Sequence, residues 1–395
     1  MESGQDMPSK VVQVLPKDKP GPWQQHATRA IFFVGGFGAA SWAPLVPLLK
    51  ARLQIDEGVL GLLLLCIGLG SLVTMPISGA AAARFGCRRV LAVVSCLYAL
   101  LLLTLSQIAS FGLAVPTLLA FGAVMGMLDV TVNIQAVLVE KAAGRRLMSG
   151  FHALWSVGGF VGAGLFGVWL QLGLTPEQAT LGAALLMFAL LAFFVRHLLP
   201  YGGEKAGSAL FAIPRGIVAF VGVIGCIAFL VEGAIMDWGG VFLTTLKQMD
   251  LSMAGTGFAV FSAAMLLMRL TGDLLVQRWG SRILVLGGGM LSVAGFLLVI
   301  FSPWQPLLYI GFFAIGIGSA NIVPIFYSLL GRQKVMPLNM AVSAVSTLGY
   351  LGILMGPALI GFVAHHTSLY ISFLLLAALV VLQTLIAAYV YRKVL

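Results

Sequence analysis

Twelve stretches of this chain are each apolar over about 20 residues, the length that crosses the hydrocarbon of a bilayer. Their expected limits are Ala27–Lys50, Val59–Ala82, Val90–Ile108, Leu113–Val139, Gly150–Leu172, Thr180–Leu199, Gly216–Leu246, Met253–Val276, Ile283–Phe301, Leu307–Leu330, Leu338–His365 and Leu369–Tyr391. Inside lipid every backbone N–H and C=O must be paired within its own segment, so spans of this kind can only be helices. The chain therefore reads as an all-α polytopic membrane protein. Composition agrees: 9% of the residues are charged, where a soluble domain carries about 25%.

The formal net charge of +10 would suggest a nucleic-acid partner in a soluble protein. Here it follows from topology. With the N-terminus inside, Arg84, Arg88, Arg89, Lys141, Arg145, Arg146, Arg278, Arg282, Arg332 and Lys334 all fall in inner loops. Only Lys50, Arg52 and Lys247 fall outside, and Arg269 lies within a span. That bias places both termini in the cytoplasm and the spans in the inner cell membrane. The expected division is a disordered tail over 1–26, a six-helix half over 27–199, a cytoplasmic linker over 200–214, a second six-helix half over 215–391 and a short end over 392–395. The partners expected are the lipid bilayer, a small-molecule substrate and protons, with no nucleic acid and a monomeric state.

Four cysteines, Cys66, Cys87, Cys96 and Cys226, lie in or beside apolar spans without paired spacing, so neither a disulfide framework nor a metal site is expected. There is no Gly-x-x-x-x-Gly-Lys-Ser/Thr loop for a nucleotide. No nucleophile–base pairing suggests an enzyme, and no cofactor is expected.

The two halves repeat. Ser41-Trp42 returns as Asp237-Trp238, and Gly61 as Gly257, each 196 residues on. Arg84-Phe85-Gly86-Cys87-Arg88 returns as Arg278-Trp279-Gly280-Ser281-Arg282, 194 residues on. Parallel six-span repeats mark a known transporter architecture. The loop Gly79-x-x-x-Ala83-Arg84-Phe85-Gly86-Cys87-Arg88-Arg89 resembles the signature loop of the major facilitator superfamily. Three further blocks are similar to the fucose-permease-like branch: Asp129-Val130-x-x-Asn133, Gly150-Phe151-His152-x-x-Trp155-Ser156-x-Gly158-Gly159, and Glu232-Gly233-x-x-x-Asp237-Trp238. The resemblance implies twelve helices in two pseudo-symmetric halves and a gate in which Arg84, Arg88 and Arg278 take part. Ala83 stands where the family usually has an acid, and Asp273, one turn before Arg278, is expected to substitute in the second half.

Polar residues inside spans are the site candidates, since an intramembrane charge costs at least ~2.5 kcal/mol and is kept where it functions. Glu232, near the middle of the seventh span, heads the candidates for proton coupling, followed by Asp129 and Asp237. Glu232 and Asp237 are five residues apart, about 140° around a helix, so they share a cavity only if the helix breaks; Gly233, Gly239 and Gly240 are the expected break. Asp129 and Asn133 share a face at i and i+4. Asn133 is assigned to the solute, together with Asn321 and with Trp42 and Trp155, whose rings neighbour Ser41 and Ser156. His152 is a candidate gate residue. Arg269 and Asp273, also i and i+4, are expected to pair within one helix, and Glu140 to be solvated beside Lys141. The glycines of the fifth span are expected to let helices approach closely.

These expectations converge on a secondary transporter that moves a small polar solute by alternating access, driven by protons. An exporter of amphipathic compounds and a non-transporting membrane sensor are the alternatives.

Overall fold

A computed structural model describes residues 20–203 and 211–394. Residues 1–19 of the tail expected over 1–26 and the centre of the linker, 204–210, lie outside the described residues; the tail's residues 22–26 are not disordered but form the start of a helix. Among the described residues, twelve helical spans are long and apolar enough to cross a membrane. They are built from fourteen α-helices: α1 (Pro22–Trp42), α2 (Leu45–Leu53), α3 (Glu57–Phe85), α4 (Cys87–Leu105), α5 (Phe111–Ala143), α6 (Met148–Gln171), α7 (Pro176–Phe194), α8 (Ile217–Val241), α9 (Thr256–Trp279), α10 (Ser281–Phe301), α11 (Gln305–Ser319), α12 (Ile322–Leu330), α13 (Leu338–His366) and α14 (Leu369–Val394).

Ordinary end signals set the limits. Pro22 occupies the first turn of α1, where its missing N–H costs nothing, so this helix starts ahead of the expected Ala27. The Asp56 carboxylate accepts from the Val59 N–H at 2.8 Å. Thr175 and Gln178 form a reciprocal capping box ahead of α7. Gly86 and Gly280 each end one helix and begin the next, with φ,ψ of 81°,152° and 83°,152°. At positive φ a side chain would strain the backbone. Two turns of identical conformation at repeat-related positions show that the repeat is structural.

Two spans are broken by proline. Ala43 and Pro44 separate α1 from α2, and Ala320 and Asn321 separate α11 from α12. The Ala320 carbonyl would accept from residue 324 in a continuous helix, but Pro324 has no N–H. By contrast α8 runs unbroken through Gly233, Gly239 and Gly240 and gives way to a π-turn only at Phe242–Leu246. The break expected there is absent. Gly233 packs instead against Ile353 on α13, with 3.1 Å left for a Cβ.

In α6, Gly158 and Gly162 lie on the carbonyls of Phe33 and Phe37, so that any side chain at either position would overlap the α1 backbone. Within the first half α1 packs on α6 and α3 on α5; within the second, α8 packs on α13 and α10 on α11. Between the halves, α3 meets α13 and α6 meets α9. The molecule is an all-α membrane bundle of two pseudo-symmetric six-span halves.

Candidate functional site

The broken span α11–α12 organises the centre of the molecule. The freed Ala320 carbonyl receives the Arg269 Nε–H at 3.2 Å. Arg269, on α9, is 8% exposed. It spends its other donors in two directions. Nη1 donates to the Ser156 hydroxyl of α6, in the other half, at 3.0 Å. Nη2 stands 3.8 Å from Glu232 Oε2 on α8. Arg269 therefore does not pair with Asp273. Helical spacing made that pair available, but the two side chains find different partners on neighbouring helices. The Glu232 side chain is 31% exposed, so one ion of this pair is accessible while the other is buried.

On α5 the Asn133 amide donates to the Asp129 carbonyl at 2.9 Å and stands 3.4 Å from its carboxylate. The i, i+4 face expected from spacing is thus real. Asn133 is 1% exposed, and its Oδ1 has no partner among the described residues. A buried acceptor left unmet is costly, and it marks a place where a donor is wanted. Asp129 is an electrostatic neighbour of the hydroxyls of Tyr327 on α12 and Tyr350 on α13. His152 lies between Phe32, ring centroids 5.1 Å apart, and Tyr327, at 5.8 Å. Its stack thus crosses from one half to the other, and its Nε2 is another buried atom without a partner among the described residues. Tyr327 in turn bonds the Ser346 hydroxyl at 2.5 Å.

One level toward the basic end, the start of α6 is held by two carboxylates. A helix begins with four N–H groups that have no partner in the helix. Glu140 accepts from Leu147 and Met148 at 2.8 and 2.9 Å. Asp273, from the opposite half, accepts from Ser149 and Gly150 at 3.0 and 2.8 Å. Both carboxylates complement the positive end of the helix dipole. Glu140 is 7% exposed, so it is a buried cap rather than a solvated residue. Asn321 belongs to this level too. Its amide donates to the Met268 carbonyl at 3.2 Å, and its Oδ1 lies over Gly272 in the seam between α6 and α9.

The other sequence candidates stand apart. Asp237 is exposed, about 140° around the unbroken α8 from Glu232. Trp42 is in the apolar core of the first half against Phe121, with centroids 5.8 Å apart. Trp155 lays its ring on Gly35 of α1, which Leu128 of α5 also approaches. Arg84 lies over the Phe85 ring at 5.2 Å and Arg278 is exposed. The Arg88 Nε–H donates to the Leu198 carbonyl at 2.9 Å, within its own half. No ion pair joins these three arginines to the opposite half among the described residues. Asp273, by contrast, does reach across to the opposite half. Arg269, Ser156, Tyr327 and Tyr350 were not singled out by sequence as site members; Pro324 in the middle of a span was the available signal for the break that Arg269 fills.

A twelve-span bundle in two related halves, with an ion pair at mid-length and polar contacts bridging the halves, is the architecture expected of a solute transporter. Residues 225–394 match the family description of the Major Facilitator Superfamily. An uncharacterized MFS-type transporter of Yersinia pestis is 48% identical over 90% of this chain and 92% of its own length. An uncharacterized transporter of Sinorhizobium fredii is 31% identical over 93% of this chain and 97% of its own. The chain belongs to the major facilitator superfamily. In fold it is similar to the Escherichia coli fucose:proton symporter, with a TM-score of 0.74 at 14% identity over 93% of this chain and 98% of that one. It is a multi-pass membrane protein that binds a small-molecule substrate, and a transporter rather than an enzyme.

Proposed function

We infer that this transporter moves a small polar solute, sugar-like or organic, across the inner membrane by alternating access, and that protons drive it. The observation that carries the reading is the Glu232–Arg269 pair, 3.8 Å apart at mid-length of two spans, with Arg269 bonded across the halves to Ser156. A proton on Glu232 removes the counterion of a buried arginine and changes what holds the halves together. Asp129 is the second carrier, beside the Asn133 amide whose free Oδ1 suits a hydroxyl or amine of the solute. Asp273, His152 and Asn321 belong to the gate. The basic end is read as cytoplasmic, with both termini there and a monomer as the working unit. Arg52, at the other end, pairs with Glu177 at 3.2 Å, and the Lys247 ammonium donates to the Ile300 and Ser302 carbonyls at 2.8 Å each. Only Lys50, Arg52 and Lys247 stand at that end, so the topological bias belongs to the opposite face. On this reading the molecule is closed toward the cytoplasm.

Glu232→Gln tests the reading, because it keeps size and hydrogen bonding but cannot ionise. Radiolabelled sugars, organic acids and amphipathic cations are first screened for uptake in proteoliposomes. With a solute in hand, Glu232→Gln is expected to abolish uptake driven by a pH gradient while sparing counterflow exchange. Full gradient-driven uptake by the variant removes Glu232 from the coupling. Transport confined to amphipathic compounds replaces the polar solute, and no flux for any class favours a sensor.

A further inference from the structure

A cleft of about 570 Å³ opens at the basic end between α5, α9 and α12, and the proposed transport cycle makes no use of it. Lys141, Arg145 and Arg146 line it from the first half, Arg332 from the second, with Gln277 and Ser328 between them. Glu140 is the one acid in its wall among the described residues, and that carboxylate is already committed to Leu147, Met148 and, at 3.6 Å, Arg146. Arg145 is partly engaged by the Gln25 side chain at 2.8 Å. Among the described residues the side chains of Lys141 and Arg332 make no hydrogen bond or ion pair, and Arg332 is an electrostatic neighbour of the Tyr391 hydroxyl. Lys141, Arg145 and Arg332 are exposed, yet like charges that converge on one space still repel. Anchoring to a membrane surface asks only for cations near loop ends. It does not ask for cations of two halves to face each other across one cleft.

The cleft is separate from the central pair. Val276 and Gln277 lie seven and eight residues beyond Arg269 on α9, about 11 Å along the axis, with the Asp273 contacts to α6 in between.

We propose that this cleft binds a phosphate-type anion, which Lys141 and Arg145 of the first half and Arg332 of the second hold together and which thereby bridges the halves. Guanidinium groups suit such an anion because their planar fork can donate two hydrogen bonds to it. A ligand that binds only while the two halves are together shifts the population toward that state. The anion is then a clamp on the basic end, and separating Arg332 from Lys141 releases it. The chemistry is shared by free phosphate and by an anionic lipid headgroup.

The test measures binding of radiolabelled inorganic phosphate to the full chain in phosphatidylcholine nanodiscs, with chloride holding ionic strength constant. Saturable binding is expected. Arg332→Gln and Lys141→Gln are each expected to raise Kd about tenfold, the scale of one lost charge-assisted hydrogen bond. Arg392→Gln, at the same end but outside the cleft, should leave Kd unchanged. Arg332→Lys, which keeps the charge, is expected to fall between wild type and Arg332→Gln and decides the matter should the neutral variant not fold. A second arm replaces part of the lipid by phosphatidylglycerol. Loss of phosphate binding there identifies the headgroup as occupant, and undiminished binding identifies the free anion; both support the site. Absence of saturable phosphate binding, or equal loss in Arg332→Gln and Arg392→Gln, overturns it and leaves these cations as topology anchors only.

Discussion

The two seams that join the halves occupy repeat-related places, yet they close by different chemistry. Where α9 meets the start of α6, Asp273 delivers a carboxylate to two free N–H groups of a helix that Glu140 caps from its own side. Where α3 meets the start of α13, the residue at the same 194-residue offset is Gly79. There the Asn339 amide donates to the Gly79 carbonyl at 2.8 Å, and the Ser343 hydroxyl to the Met75 carbonyl. Among the described residues no side chain caps the start of α13, which follows Pro337. One seam is ionic and reaches by side chain; the other is neutral and brings backbone against backbone. A carboxylate–amide contact is long in reach and can re-form, whereas a glycine contact depends on shape and fails once anything intrudes. A similar divergence separates the two repeat-related turns: Gly86 lies under the Pro200 carbonyl, with the Arg88 N–H bonded to Leu199, while nothing stands within 4 Å of a Cβ at Gly280.

Substitutions that exchange the two chemistries test this contrast. Gly79→Val is expected to have the largest effect. A Cβ there meets the Asn339 carbonyl oxygen at 2.5 Å, and overpacking of backbone costs about 1–3 kcal/mol or more. Cysteine labelling at the basic end should show that seam opened. The matching change across the molecule, Gly150→Ala, meets only the movable Asp273 Oδ2, at 2.9 Å, and should open the end far less. Next is Asp273→Ala, which removes half of the α6 cap; loss of a capping acceptor costs ~0.5–2 kcal/mol. Its effect on labelling should be largely reversed by Asp273→Asn, which still accepts a hydrogen bond, if acceptance matters more than charge. Asn339→Ala loses one neutral bond, worth about 0.5–1.5 kcal/mol, and thermal unfolding should register it more clearly than labelling does. Smallest is Arg84→Gln, expected to stay within about 0.5 kcal/mol as an exposed change. A large effect there would restore this arginine to the gate.

The sequence was informative wherever one dimension suffices. Span limits followed from apolar length, and the turns at Gly86 and Gly280 from a repeated Arg-x-Gly-x-Arg pattern. The Asp129–Asn133 pair followed from spacing on one helix. It misled where a side chain had a choice of neighbours. Arg269 and Asp273 had the right spacing to pair, but each found stronger calls on its donors or acceptors elsewhere: a carbonyl that Pro324 leaves unpaired, and N–H groups at the start of α6. Glu140 beside Lys141 suggested a solvated end, and only the fold of the chain over α6 buries it.

What the sequence by itself determined is therefore the membrane class, the twelve crossings, the two-fold repeat and the choice of which residues carry charge inside a span. All of these rest on apolar length and helical period, which are local quantities. The tertiary structure decided which charges meet. Glu232 faces Arg269 on the next helix, Asp273 crosses to the other half, and Trp42 turns into the core, because partners in a bundle are fixed by helix rotation and by the glycine contacts that set how closely the helices approach.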